Sequence, residues 1–253
     1  MNTGSVAQRL ADTPGVARTI LGAARAARGM PGADPRAMSH SWLFTGPPGS
    51  GRSLAAIDFA AALMCTDPEE PGCGRCEACR AVLETKQHTD LVLVDPQEVI
   101  IPVDTVREVI GRAASLPTVA PWRVVIFNNA DRLNNNGANA LLKTVEEPPA
   151  RTVIIMCAPS DAPEDFSQTL RSRCRHLYIP SPSVESITAQ LVSEGASDHD
   201  AYLAALTSLR HVGRARRLVN DPAVQKRRAV AINLAEEVFH GSQGFQAVTS
   251  LLK

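Results

Sequence analysis

Five short apolar runs recur along the first 180 residues: WLFT (42–45), DLVLVDP (90–96), RVVIFN (123–128), TVIIMCAP (152–159) and HLYIP (176–180). Each has strand length and is bounded by turn-forming residues. Between them the apolar period lengthens. LAAIDFAAALMC repeats at Leu54, Ile57, Ala61 and Met64, and IPVDTVREVIGRAASL repeats at Val103, Val106, Ile110 and Ala113, with Asp104 placed as its cap. ADRLNNNGANALLKTVEEPP predicts a helix from about Asn136 that must stop before Pro148 and Pro149. Strands alternating with helices imply a parallel sheet covered on both faces, an α/β fold.

Past Pro180 and Pro182 only helical periods remain, in SITAQLVSEG, HDAYLAALTSLRHVGRARRLVND and VQKRRAVAINLAEEVFH. The expected organisation is an α/β domain over 1–180 and a small all-helical domain over 181–253. With 253 residues, 44% of them hydrophobic, the chain can bury a sizeable core. Its 26 basic and 26 acidic residues balance, so net charge demands no polyanionic partner. No apolar run is long enough to span a bilayer, and MNTGSVAQRLADTPGV lacks the apolar core of a signal peptide, so the expected compartment is the cytoplasm and no membrane contact is expected.

The first strand breaks into GPPGSGRS and then a helix, which fits a P-loop: Gly46, Gly49 and Gly51 let backbone N–H groups approach phosphates, and Ser53 takes the magnesium position. Arg52 stands where such loops carry lysine. It keeps the charge on a bulkier, planar group, which leaves both a degenerate nucleotide site for ATP or ADP and a purely structural turn open. The third strand ends in Asn128 and Asn129, where a P-loop ATPase carries an acid for Mg²⁺ and, in many families, a second acid for the attacking water. An amide supplies neither the charge nor the base. Asp131 lies past the strand end and reads as a turn or cap residue.

Cys65, Cys73, Cys76 and Cys79 are spaced C-x7-C-x2-C-x2-C with no export signal, a pattern suited to tetrahedral Zn²⁺ in a closed structural site. Cys157, inside an apolar strand, reads as a buried small residue rather than a nucleophile. LRSRCR (170–175) is a basic run whose composition alone indicates a solvated loop.

Together, GPPGSGRS, the four-cysteine insert, ADRLNNNGANALLKTVEEPP and LRSRC resemble the bacterial clamp-loader AAA+ subunits of DNA polymerase III, over residues 16–220 or so. The resemblance implies a P-loop AAA+ core with a zinc-binding insert at about 65–79, followed by a helical lid. Within the family the replaced residues Arg52, Asn128 and Asn129 side with the delta-prime type, a stator without intrinsic ATPase, rather than with the tau/gamma motor, which is the alternative. It further implies that Arg173 of S-R-C enters the ATP site of the neighbouring motor subunit as an arginine finger. Arg216 of Gly213-Arg214-Ala215-Arg216 falls on the sensor-2 pattern, facing any nucleotide bound to the chain's own P-loop. Implied partners are the tau/gamma and delta subunits and, through the complex, the sliding clamp and primer–template DNA. Arg107 and Arg112 lie off the apolar stripe of their helix, placed either for phosphates or simply for solvent. A zinc module that binds nucleic acid directly is a further alternative, disfavoured by the lack of interleaved aromatics and dense basic residues. Family members carry a third, C-terminal collar domain; with the chain closing at SLLK, that domain is expected to be absent and entry into the ring poor.

Overall fold

The structure, a computed structural model, describes residues 4–96 and 98–239. All five apolar runs form strands: β1 (Ser41–Thr45), β2 (Leu91–Val94), β3 (Arg123–Phe127), β4 (Thr152–Ala158) and β5 (Arg175–Tyr178). They pair in parallel throughout, in the order β2-β3-β4-β1-β5. Because β1 and β3 both flank β4, the loops leaving their carboxyl ends lie at the same edge of the sheet, where open α/β folds place their ligands.

In chain order the first unit carries α1 (Val6–Arg9), α2 (Pro14–Ala27), α3 (Arg52–Met64), α4 (Glu77–Arg80), α5 (Val103–Ala113), α6 (Asn135–Glu146) and α7 (Gln168–Arg171). The second carries α8 (Val184–Ser193), α9 (Asp198–Thr207), α10 (Val212–Asn220) and α11 (Pro222–Phe239). The division falls between Ser181 and Pro182. Among the described residues no helix is long and apolar enough to cross a membrane. The terminal SLLK, on which the expectation about a missing collar rests, lies outside the described residues.

Alternation along the central strands divides the core of the first unit. Trp42, Phe44, Val124, Ile126, Val153 and Ile155 meet α2 and α3, whereas Leu43, Val125, Phe127, Ile154 and Met156 meet α5 and α6. Both faces are covered, so β1, β3 and β4 are buried from end to end and read as continuous apolar runs. In the second unit Ile187, Leu191, Ala201, Ala204, Ala205 and Ala215 close a small core of their own.

Two expectations from helical spacing are corrected. Leu54 is 47% exposed; it sits in the first turn of α3, and the small side chains from Ala55 to Ala62, with Ile57 and Phe59, do the packing as the helix passes beneath its neighbours. Asp104 does not cap α5. Pro102 holds the cap position without a side-chain bond, and Asp104 lies one residue inside the helix, pairing with Arg107 at 3.0 Å. The buried stripe of α5 is Val106, Val109 and Ala113, with Val103 and Ile110 only partly covered.

Candidate functional site

The cysteine segment leaves the end of α3 and returns through α4. The Sγ atoms of Cys65, Cys73, Cys76 and Cys79 lie within 4.8 Å of one another, and Cys76 and Cys65 approach to 3.9 Å. Four thiolates around one Zn²⁺ at 2.3 Å would be about 3.8 Å apart, so the set fits a tetrahedral metal with little contraction. The surroundings favour thiolates: backbone N–H groups of Asp67, Cys76 and Cys79 each donate to a cysteine sulfur at 3.4 Å. The bond from Cys79 draws the Cys65 thiol down to about 4, while the same contact and burial push Cys79 up. Three of the four side chains are buried, and four thiolates would fill the coordination of a tetrahedral ion, as a structural site requires.

The module also fastens the start of the chain. Val6 N–H donates to the Gly72 carbonyl at 2.8 Å, and Arg28 reaches the carbonyl of Asp67. Gly74 has φ +72, and a Cβ there would collide with the carbonyl of Gly4, so this close approach requires glycine.

At the carboxyl end of β1 the chain turns through Gly46–Gly51 into α3. A Cβ on Gly46 would run into the Ile179 carbonyl and lie 2.5 Å from Ser50 Oγ, so the loop begins where only glycine fits. Gly49 and Gly51 adopt φ of 86° and 90°. Arg52 is the first residue of α3, and its guanidinium folds back so that Nη1 donates to the Gly46 carbonyl at 2.7 Å, leaving Nε buried without a partner. Ser53 follows in the first turn, half-buried. Beneath it, burial pushes Cys157 up to about 12, and its thiol donates to the Arg52 carbonyl at 3.9 Å, the behaviour of an inert core residue.

Asn128 and Asn129 leave the end of β3. Asn128 is buried, its N–H donating to the Val94 carbonyl at 2.9 Å and its Oδ1 unpartnered; Asn129 takes a left-handed φ of 52° and turns the chain away. Asp131 lies in the 3₁₀ turn Ala130–Arg132, and the cap of α6 falls to Asn134, whose side chain accepts from Gly137 N–H at 2.9 Å.

Arg173 lies between α7 and β5. Its Nε donates to Glu146 Oε1 at 2.5 Å, and its Nη1 donates to the Thr169 carbonyl at 2.8 Å and to Ser172 Oγ at 3.2 Å. The side chain remains 36% exposed. Glu146 is the final residue of α6, so the E-E-P-P and S-R-C runs meet in space although 27 positions separate them in sequence. In the second unit Arg216 is gripped by both carboxylate oxygens of Glu194, Nε at 2.9 and 3.1 Å and Nη2 at 2.5 Å. Arg107 and Arg112 sit on the exposed face of α5, the former ion-paired within the helix.

Sequence reasoning missed Glu146, although the E-E-P-P run was its signal. It also missed Asp90 and Arg123, whose buried ion pair at 2.9 Å ties the starts of β2 and β3 together.

Residues 33–183 match the family described as DNA polymerase III, delta subunit. The chain is 35% identical to DNA polymerase III subunit delta' of Pseudomonas aeruginosa over 173 residues, 66% of this chain and 52% of that protein. It is 33% identical to DNA polymerase III subunit gamma/tau of Mycobacterium tuberculosis over 174 residues, 66% of this chain and 30% of that one. The chain thus spans about half the length of the delta' relatives it matches. In fold it is similar to the RuvB Holliday junction branch migration motor of Thermotoga maritima, with a TM-score of 0.52 at 16% identity over 88% of this chain and 64% of that one.

Proposed function

Since the chain belongs to the DNA polymerase III delta-subunit family, we propose that it serves as a delta-prime type clamp-loader subunit: a stator that hydrolyses no ATP itself and lends Arg173 to the ATP site of an adjoining motor subunit. One contrast carries the reading. At the chain's own P-loop the cation is turned onto its own backbone and the acids are amides, while a braced, part-exposed arginine stands at the S-R-C run. A guanidinium offered in trans neutralises charge on a transferring phosphoryl group, an effect worth roughly 10³–10⁵ in rate. Partners on this reading are tau/gamma and delta, with the sliding clamp and primer–template DNA engaged through the assembly, in the cytoplasm.

Zn²⁺ would be held by Cys65, Cys73, Cys76 and Cys79, fixing a loop that has almost no core of its own. Nucleotide at Gly46, Gly49, Gly51 and Ser53 would require Arg52 to swing off the Gly46 carbonyl, and the sensor role implied for Arg216 would require it to release Glu194.

The test is clamp-stimulated ATPase of a complex in which only the motor site beside this chain can turn over. Arg173→Ala should silence that site without changing assembly, and the isolated chain should not hydrolyse ATP with Mg²⁺. Wild-type turnover by an assembled Arg173→Ala complex would refute the finger. Hydrolysis by the isolated chain that is lost in Arg52→Ala would instead assign it to the motor type, to which it is also similar.

A further inference from the structure

Glu146 occupies a position that helix electrostatics disfavour. It ends α6, where the unpaired carbonyls carry partial negative charge, and Glu147 follows it directly. Lys143 lies in the last turn of the same helix, but the cation that meets this carboxylate directly is Arg173, at 2.5 Å. The manner of contact matters more than the pairing. Glu146 takes Nε, the inner nitrogen of the guanidinium, while the Thr169 carbonyl and Ser172 Oγ take Nη1. Nη2 donates to none of the described residues, so the side chain is held at Nε and at one terminal nitrogen, with the other terminal nitrogen unengaged among those residues.

We infer that Glu146 is a positioning residue for Arg173: it fixes the guanidinium in the rotamer that presents Nη2 outward, to a phosphoryl oxygen bound by the neighbouring subunit. The inference rests on the arginine-finger reading above. A long, part-exposed arginine would otherwise spread over many rotamers and lose that freedom each time a neighbour docks; an acceptor on Nε removes the freedom beforehand. The backbone is fixed as well, since Arg173 N–H donates to the Leu170 carbonyl at 3.0 Å and Cys174, the next residue, is buried. Among the acceptors, Glu146 alone comes from outside the segment that carries Arg173, so it sets the orientation of the side chain relative to the body of the domain.

The test uses the same assembled complex, reading kcat and KM for ATP at the motor site beside this chain. Glu146→Ala should lower kcat by roughly 10- to 100-fold, the size expected of a misplacement near 1 Å, with KM and assembly unchanged. Glu146→Gln should recover most of the loss, because its amide oxygen still accepts from Nε, and Glu147→Ala should behave as wild type. Adding Glu146→Ala to Arg173→Ala should cost nothing more. A Glu146→Ala kcat at or above wild type, beside a slow Arg173→Ala, overturns the positioning role and leaves the finger standing. An Arg173→Ala complex at full rate overturns both. A further loss from Glu146→Ala in the Arg173→Ala background, or failure of Glu146→Gln to recover activity, marks Glu146 as a merely structural residue and also overturns the inference.

Discussion

Replacing Asp90 by asparagine changes one oxygen to an NH₂ group at the most demanding polar position in the first unit. Asp90 is fully buried. Its Oδ1 accepts from Thr118 N–H at 2.9 Å, Thr118 Oγ1 at 3.3 Å and Arg123 Nη2 at 2.9 Å; its Oδ2 accepts from the N–H groups of Val119 at 2.7 Å and Ala120 at 2.9 Å. An amide can keep the Oδ1 set, but its nitrogen then faces two backbone donors. Each orphaned N–H costs about 1–3 kcal/mol. Arg123, 7% exposed, also loses its counter-charge, a change that costs about 3–5 kcal/mol when a buried pair is broken outright. Here Arg123 keeps the carbonyls of Arg112 and Ser115, so the bottom of these ranges applies and the total is about 5 kcal/mol.

Urea unfolding reads this directly. With a slope of about 3 kcal/mol/M, Asp90→Asn should lower the midpoint at pH 7 by about 1.7 M. The acid limb gives a second check. Burial alone would raise the Asp90 carboxyl, but the N–H groups of Ala120, Thr118 and Val119 and the Arg123 guanidinium outweigh it and hold the group well below the ordinary range. Its contribution is therefore complete above the unfolded value of about 3.9 and is lost as pH falls below it, so wild type and variant should converge in acid. A midpoint shift under about 0.3 M at unchanged slope, or a gap that persists undiminished in strong acid, would refute the account.

Zinc should copurify at about one equivalent per chain, and stripping it should speed amide exchange at Val6, whose N–H is held by the Gly72 carbonyl, while the sheet stays protected. Absence of zinc, or unaltered exchange at Val6 after chelation, would count against the metal fastening the N-terminal segment. Gly74→Ala should lower stability by about 2 kcal/mol through a left-handed alanine and a clash with Gly4, visible as a lower Tm and loosened exchange over α1; a wild-type melt would contradict it.

The parts legible in the sequence are those fixed by local pattern. β1, β3 and β4 announce themselves because burial on both faces makes their central positions apolar, and the four cysteines do so because their spacing is one that few roles other than metal ligation require. The misreadings share a different cause. Leu54 has helical spacing, but whether a helix turn is covered depends on what lies above it, and the packing falls to alanines that a search for large apolar residues passes over. Asp104 has cap chemistry, yet the cap of α5 falls two residues earlier, on Pro102. The pairs Asp90–Arg123, Glu146–Arg173 and Glu194–Arg216 join charges 33, 27 and 22 positions apart, and charge alone does not say which of 26 cations meets which of 26 anions.

Those pairings bear on where chemistry can occur. Around the Gly46–Gly51 loop Ser50 Oγ, Arg52 Nε and Asn128 Oδ1 are buried without partners, so the loop retains unsatisfied polar groups. Unsatisfied polar groups do not amount to a hydrolytic centre. A divalent ion on a triphosphate needs an anionic ligand, and an attacking water needs a base; Asn128 and Asn129 are neutral, and Asp131, the next acid along the chain, is exposed in a turn beyond them. Arg52 keeps its charge but spends a donor on the Gly46 carbonyl. Arg173 shows a different arrangement: a carboxylate engages Nε, Nη1 bonds within its own segment, and Nη2 donates to none of the described residues. If Arg173 serves a neighbour's site as proposed, the Glu146 contact puts the chain's contribution on the face that carries S-R-C rather than at its own glycine loop.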